Sequence, residues 1–318
     1  MKRANCEHKI LTILLAAVLL TPMFAEIGGP FSASTAQEPT PPPQLQYLEG
    51  SESSMLSVGY GVGGKTIAGA SANGRIYFWD SVDNRLIAQL AGCTGPIVST
   101  APSPNGLQLA SGSRNGLVRI FDIPTVHPLG TITGFAGLPT SIVVSPDGKL
   151  ILTGDQSKAI RLWDGTNHQN LRNFASIEAI TDIAMDTKQR IVFGTSIDGS
   201  LQGWNLDDGQ LQGRVLTVAS NALAAHPAGH TVALAGNDGV LRIVNWPPQP
   251  MRNIVQQGGV VVASAISHDD KLIVTGSHDQ TVRTFNAETG AAIHSLAGHV
   301  GQSITVAISD DAKLIASG

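Results

Sequence analysis

This chain of 318 residues predicts an all-β fold: a seven-bladed β-propeller of four-stranded antiparallel blades, its last blade cut by the end of the sequence. Three observations carry that expectation. An apolar strand ending in a large residue followed by Asp or Asn returns six times, as Arg75-Ile-Tyr-Phe-Trp79-Asp80, Val118-Arg-Ile-Phe121-Asp122, Ile160-Arg-Leu-Trp163-Asp164, Leu201-Gln-Gly-Trp204-Asn205, Leu241-Arg-Ile-Val244-Asn245 and Val282-Arg-Thr-Phe285-Asn286. The large residues at 79, 121, 163, 204, 244 and 285 are spaced by 42, 42, 41, 40 and 41 residues, the period of a blade. Turn residues rich in Gly, Pro, Asn and Asp punctuate each period at matching places, and no helix-period segment appears beyond the first 36 residues.

Residues 1–36 read as an export signal. Lys2, Arg3 and Lys9 form a basic start, and Ile10 to Leu20 is an apolar run of eleven residues, shorter than the ~20 a spanning helix needs. Small residues at Ala25 and Ala36 each offer a cleavage point, with Ala36 preferred. The competing reading is an uncleaved anchor, Ile10 to Ile27 stretched across a thin bilayer with Pro22 and Glu26 tolerated. Residues 37–45 follow as a Pro-rich linker, Glu38-Pro39-Thr40-Pro41-Pro42-Pro43, whose prolines lack the donors a sheet requires.

From Gln46 to Gly318 the pattern is continuous, one domain of six complete repeats and the start of a seventh. In the second unit Ile97 to Ala101 supplies an inner strand, Ser103-Pro-Asn-Gly106 a turn, Leu107 to Ser111 the next strand, and Asn115-Gly116 a tight hairpin into Leu117 to Phe121. Ser145-Pro-Asp-Gly148, His226-Pro-Ala-Gly229 and Ser267-His-Asp-Asp270 repeat the first turn, and Asp198-Gly199, Asn237-Asp-Gly239 and His278-Asp-Gln280 the second.

These units resemble the WD-repeat family of β-propellers, the fold of the G-protein β subunit. The residues that carry the resemblance are Trp79-Asp80, Trp163-Asp164, the replacements Phe121-Asp122 and Phe285-Asn286, and Gly298-His299. The resemblance implies a tetrad of His, Ser/Thr, turn Asp and Trp. Asp198, Asp238 and Asp279 match its Asp, and Trp79, Trp163 and Trp204 its Trp, but the His is missing from every unit except the last, so no tetrad is complete and packing is expected to hold the blades. It also implies that an N-terminal strand completes the last blade. Gln46-Tyr-Leu-Glu-Gly50 resembles His294-Ser-Leu-Ala-Gly298 and fits that role. Ser309 to Gly318 overlays Ser267 to Gly276 at an offset of 42, which places a seventh large residue at 327.

Composition narrows the function classes. The charged fraction is 14% with a net charge of −4 and a pI near 6.1, without the basic stripe that nucleic acid demands. Removal of residues 1–36 leaves 17 basic against 22 acidic side chains and Cys93 as the one cysteine, so no intrachain disulfide is possible; export without disulfides points to a bacterial periplasm or cell surface. No GxSxG, P-loop, paired CxxC or haem CxxCH motif occurs, and no catalytic residue, cofactor or metal is called for. His226 and His230 sit in a turn with Pro227 and Gly229 instead of on one helix face, His278-Asp279 belongs to a blade turn, and Cys93 has no His beside it in sequence.

Surface remains. In the resembled family, partners usually dock on the face whose turns join second and third strands around the central channel. The residue before the turn Asp is Ala72, Arg114, Gln156, Ile197, Asn237 and His278 in successive units. The candidate partner-binding residues are therefore Arg114, Gln156, Ile197, Asn237 and His278, a mixture suited to a protein or peptide. The expected function is a non-catalytic, exported scaffold for protein–protein contacts, with a membrane tether only through the N-terminal segment. The alternative is a docking domain of a larger enzyme whose catalytic part lies beyond residue 318; a propeller hydrolase or lactonase ranks last, for want of convergent polar residues.

Overall fold

A computed structural model describes residues 14–17, 45–91, 95–103, 105–225, 231–248, 252–256, 258–302 and 305–318. Cys93, His226 and His230 lie outside the described residues, as do most of the leader and the Pro-rich linker.

Six four-stranded antiparallel sheets follow one another in sequence, each built from consecutive strands. The first blade consists of Met55–Tyr60, Thr66–Ser71, Arg75–Asp80 and Leu86–Ala91. The innermost strands of the next five are Ile97–Pro102, Pro139–Val144, Ile180–Asp186, Ser220–Ala225 and Val261–Ile266. A smaller seventh sheet begins with Val306–Ile308. Each innermost strand contacts the next, and Val306–Ile308 contacts Met55–Tyr60, so the ring closes and only the short edges of the innermost strands face the centre.

The hydrophobic core lies between blades, because each sheet buries both faces against its neighbours. One cluster joins Ala110, Val118 and Ile120 of the second blade to Ile142, Ile151 and Trp163 of the third. Another joins Ile191, Phe193 and Leu201 of the fourth to Leu223, Leu234 and Trp246 of the fifth. Burial on both faces explains the near-continuous apolar runs of second strands such as Ile191–Ser196, buried throughout.

Leu45–Tyr47 forms the outermost strand of the seventh sheet, as the resemblance implied. Between it and Leu314–Ser317 lies Leu14–Ala17, paired antiparallel with both, in register Leu15 to Gln46 and Leu15 to Ala316. Those four residues belong to the apolar run that the sequence assigns to an export signal. Backbone pairing asks only for an extended segment, and an apolar Leu-Ala tetrapeptide satisfies a strand and a signal core alike.

Polar ties supplement packing in a form the tetrad comparison did not anticipate. His299 and Ser317 hydrogen-bond at 2.8 Å in the seventh sheet, and Trp163 Nε1 donates to Thr153 Oγ1 at 2.9 Å in the third blade, each a fragment of the tetrad. Elsewhere an Arg takes up the turn carboxylate: Arg161 pairs with Asp155, Arg214 with Asp198, Arg242 with Asp238 and Arg283 with Asp279. In the third blade the order is inverted, with Asp155 ending the second strand and Ser157 in the turn, yet the ion pair survives. The Asp238 carboxyl is held below its ordinary range by the Arg242 hydrogen bond. Blade rigidity thus rests on packing together with these turn carboxylate–guanidinium pairs.

Candidate functional site: the channel mouth

The six turn residues singled out from sequence occupy equivalent places in the ring. In each of the six full blades the amide of that residue donates to a carbonyl eighteen residues earlier, just before the innermost strand: Ala72 to Ser54 at 2.9 Å, Arg114 to Pro96 at 3.0, Gln156 to Leu138 at 3.1, Ile197 to Ala179 at 3.1, Asn237 to Ala219 at 2.9 and His278 to Val260 at 3.0. A turn pinned to the start of its blade's innermost strand holds its side chain at the channel mouth without a contribution from that side chain. Sequence is therefore free to vary there. Arg114, Gln156, Ile197 and Asn237 are exposed, Ile197 at 58%, and His278 is half-buried.

A second ring arises from backbone register. Each innermost strand of the six full blades slips by one residue against its partner, between Met55 and Ser57, Ile97 and Ser99, Pro139 and Ser141, Ile180 and Asp182, Ser220 and Ala222, and Val261 and Ala263. The skipped residues are Leu56, Val98, Thr140, Thr181, Asn221 and Val262. A bulge re-aims the extra side chain and sharpens the local twist.

The two rings meet in a cavity of about 790 Å³ at the mouth. Arg114, Gln156 and Ile197 form one part of its lining, and the bulge residues Val98, Thr140, Thr181 and Asn221 another. Leu138, Pro139, Ala179 and Ile180 supply apolar wall. This lining holds one cation and no carboxylate. Asn237 and His278 occupy equivalent places further round the ring and do not line the cavity. Three of the five sequence-derived candidates are thus brought together around one concavity. The four bulge residues were missed because a bulge is a property of pairing, although their recurrence as the second residue of every innermost strand is legible once blade boundaries are known.

Beneath the mouth a third ring stitches neighbouring blades. Its members, the residues after each bulge, are Ser57, Ser99, Ser141, Asp182, Ala222 and Ala263, with Thr305 just before the strand Val306–Ile308 of the seventh sheet. Thr305 Oγ1 accepts from the Val58 amide at 3.0 Å, Ser57 Oγ from Thr100 at 3.1 Å, and Ser99 Oγ from Ile142 at 3.2 Å, each across a blade boundary. Asp182 breaks the series of hydroxyls and methyls. Its Oδ2 accepts from the Leu223 amide at 2.7 Å in the fifth blade, its Oδ1 from its own neighbour Ile183 at 2.9 Å, and Ser141 of the third blade donates its hydroxyl to the same carboxylate. Burial pushes the Asp182 carboxyl up to about 6, against the lowering effect of those hydrogen bonds.

Asp279 accepts from the Thr281 amide at 3.1 Å and pairs with Arg283 at 2.7 Å, so its carboxylate is engaged within its own blade. Among the described residues no three His, Cys, Asp or Glu side chains gather as metal ligands would.

The family model described as "WD domain, G-beta repeat" matches residues 84–122, 127–164 and 249–286. The first match starts just before the outermost strand Leu86–Ala91 and ends with Leu117–Asp122, the third strand of the following blade. The other two span the same parts of their units, so each repeat interlocks two blades, as the resemblance in sequence implied. With three units matched by that model and six full blades of one plan around a closed ring, the chain carries WD repeats and is similar to the WD-repeat β-propellers.

Proposed function

We propose that this propeller is a non-catalytic scaffold that docks a protein or peptide at the channel mouth. WD-repeat propellers are typical protein-interaction scaffolds, and the observation that favours the mouth is the cavity lined by Arg114, Gln156 and Ile197 above the bulge residues. Apolar walls from Leu138, Pro139 and Ile197 supply burial, while Thr140, Thr181, Asn221 and Gln156 offer donors and acceptors to a peptide backbone. Arg114 adds the single charge. Asn237 and His278 extend the same ring and serve as outer contacts.

The test compares capture from an extract by the full chain and by a variant with Arg114, Ile197 and His278 replaced together by Ala. Capture weakens while the circular dichroism spectrum and melting temperature stay as they were. Undiminished capture by a folded triple variant removes the mouth from consideration.

We place this scaffold outside the cytoplasm, in the periplasm or at the cell surface, because the basic start and eleven-residue apolar run have the form of an export signal. The strand Leu14–Ala17 argues the other way, since a molecule that has lost residues 1–36 cannot also hold it in the seventh sheet. Sequencing the N-terminus of the mature chain decides: a start at Gln37 or Glu26 supports export with removal, and a start at Met1 or Lys2 ends that reading.

A further inference from the structure

In five of the six full blades the third residue of the third strand has a polar partner suited to it. Arg161, Arg242 and Arg283 pair with Asp155, Asp238 and Asp279. In the first blade the residue is Tyr77 and the turn carries Asn73, whose Nδ2 donates to the Tyr77 hydroxyl at 3.4 Å. In the fourth it is Gln202, which donates to Ser176 at 3.1 Å and Ser200 at 3.3 Å, while Arg214 takes up the turn carboxylate of Asp198. Aspartate thus goes with arginine, and asparagine with an acceptor.

The second blade breaks this match, for its turn carries Asn115 and its third strand Arg119. Asn115 keeps one role of the aspartate: its Oδ1 accepts from the Leu117 amide at 3.1 Å, as Asp238 Oδ1 does from Val240 and Asp279 Oδ1 from Thr281 at the same distance. The other role is lost, because asparagine has an NH2 donor where aspartate has its second anionic oxygen, and a guanidinium can only donate. Arg119 is half-buried and Arg114, just before Asn115, is exposed. Among the described residues no ion pair or side-chain hydrogen bond engages either guanidinium. Arg75 of the first blade and Lys158 of the third pair with Glu52 and Glu178, so the uncompensated charge is local to the second blade.

We propose that the second blade takes its missing carboxylate from the partner: the segment docked at the mouth presents an Asp or Glu side chain to Arg114 and Arg119 and lays apolar side chains along the rim beyond them. The inference rests on the docking reading and gives the partner a chemistry. A carboxylate suits the place because the equivalent arginines hold one; Arg242 forks onto Asp238, Nη1 to Oδ1 and Nη2 to Oδ2. The apolar requirement comes from the third to fifth blades. Leu138 and Ile197 line the cavity together with Arg114, Ile177 lies two residues before the lining residue Ala179, and Val218 precedes Ala219, whose carbonyl holds the Asn237 turn; all four are exposed. A rim that is cationic at one end and apolar along the rest fixes the direction of a segment that is acidic at one end.

Selection of a phage-displayed library of random twelve-residue peptides on the immobilised full chain tests this without a known partner. The enriched peptides carry Asp or Glu beside apolar residues, and, made synthetically, they bind Asn115→Asp at least about tenfold more weakly, the loss expected for a charge-assisted hydrogen bond. That variant supplies the carboxylate within the chain, as the fifth and sixth blades do, and so occupies Arg119 with the turn intact. Arg119→Gln, which copies Gln202 of the fourth blade, gives the same loss by removing the cation. Enriched peptides with no excess of Asp or Glu overturn the inference, as do acidic peptides that both folded variants bind as tightly as the unaltered chain, or a library that yields no binder. The variant with Arg114, Ile197 and His278 replaced by Ala separates this inference from the docking reading. Peptides that it loses but that carry no excess of acid leave the mouth as the docking surface and remove only the carboxylate; peptides that it binds undiminished remove both.

Discussion

Trp246 of the fifth blade packs against Gly203 of the fourth, so close that a Cβ on Gly203 would overlap its ring, and Phe193 meets the same indole in a T-shaped contact at 5.1 Å between centroids. The large residue missing at Val244 is thus supplied two positions later, and the neighbouring blade makes room by having glycine. Gly203→Ala is expected to cost about 1–3 kcal/mol through overpacking, and Trp246→Ala about 3–5 kcal/mol through the cavity left behind. Urea unfolding of the two variants checks both numbers; an unchanged midpoint for Gly203→Ala would show that the seam between these blades yields freely.

Asp238 and Arg242 illustrate the carboxylate–guanidinium pairs. The Arg242 side chain is 8% exposed, and its Nη1 donates to Asp238 Oδ1 at 2.8 Å. Asp238→Ala leaves a buried guanidinium without a counter-charge and is expected to cost about 2–3 kcal/mol, less than a fully buried pair because the carboxylate side is partly solvated. Because hydrogen bonding to Arg242 lowers the folded-state value of Asp238, its stabilisation is present above the ordinary carboxylate range and is lost as pH falls through the lowered value. Unfolding free energies of the variant and the unaltered chain should converge in acid; a constant gap down to pH 2 contradicts the assignment.

Asp182 has the opposite sign. Its folded-state value is raised to about 6, so its contribution to stability is full below the ordinary carboxylate range and is lost as pH rises through 6. The difference in unfolding free energy between the unaltered chain and Asp182→Asn should therefore shift against the unaltered chain between pH 4 and pH 7. A difference that does not vary with pH would mean that the carboxyl titrates at its usual value.

Trp163 donates its indole N–H to Thr153 in a buried setting. Trp163→Phe keeps most of the packing against Phe135 but strands the threonine hydroxyl, for an expected loss of about 1 kcal/mol from the hydrogen bond, with any packing loss added. Thermal unfolding of this variant, with Thr153→Val alongside, separates the two terms: the double variant should lose less than the sum of the singles.

Much of the fold was legible because a blade repeats its own physics. The spacing from Trp79 to Phe285 marks the third strands, and the fixed eighteen-residue hydrogen bond from each turn to the start of its blade's innermost strand makes Arg114, Gln156, Ile197, Asn237 and His278 equivalent before any side chain is considered. What escaped depends on pairing or on neighbours. Val98, Thr140, Thr181 and Asn221 reach the cavity through a register slip that leaves no mark in composition. Asp182 reads in sequence as any acidic residue, and only the ring of Ser57, Ser99 and Ser141 shows it to be the odd member. Trp246 lies outside the expected slot, and its partner Gly203 looks like a weak point in a strand until the indole is seen against it. Leu14–Ala17 serves a signal core and a strand equally well, so composition alone does not choose.

The most direct test of the mouth as the docking surface is site-specific photo-crosslinking, with a photoreactive amino acid at Gln156 on the rim, at Asp147 in a turn between first and second strands, and at Leu171 on an outermost strand. Adducts with a partner from position 156, and none from 147 or 171, are the predicted result. Adducts from 147 or 171 with none from 156 would contradict it and move the docking surface to the opposite face or the outer rim.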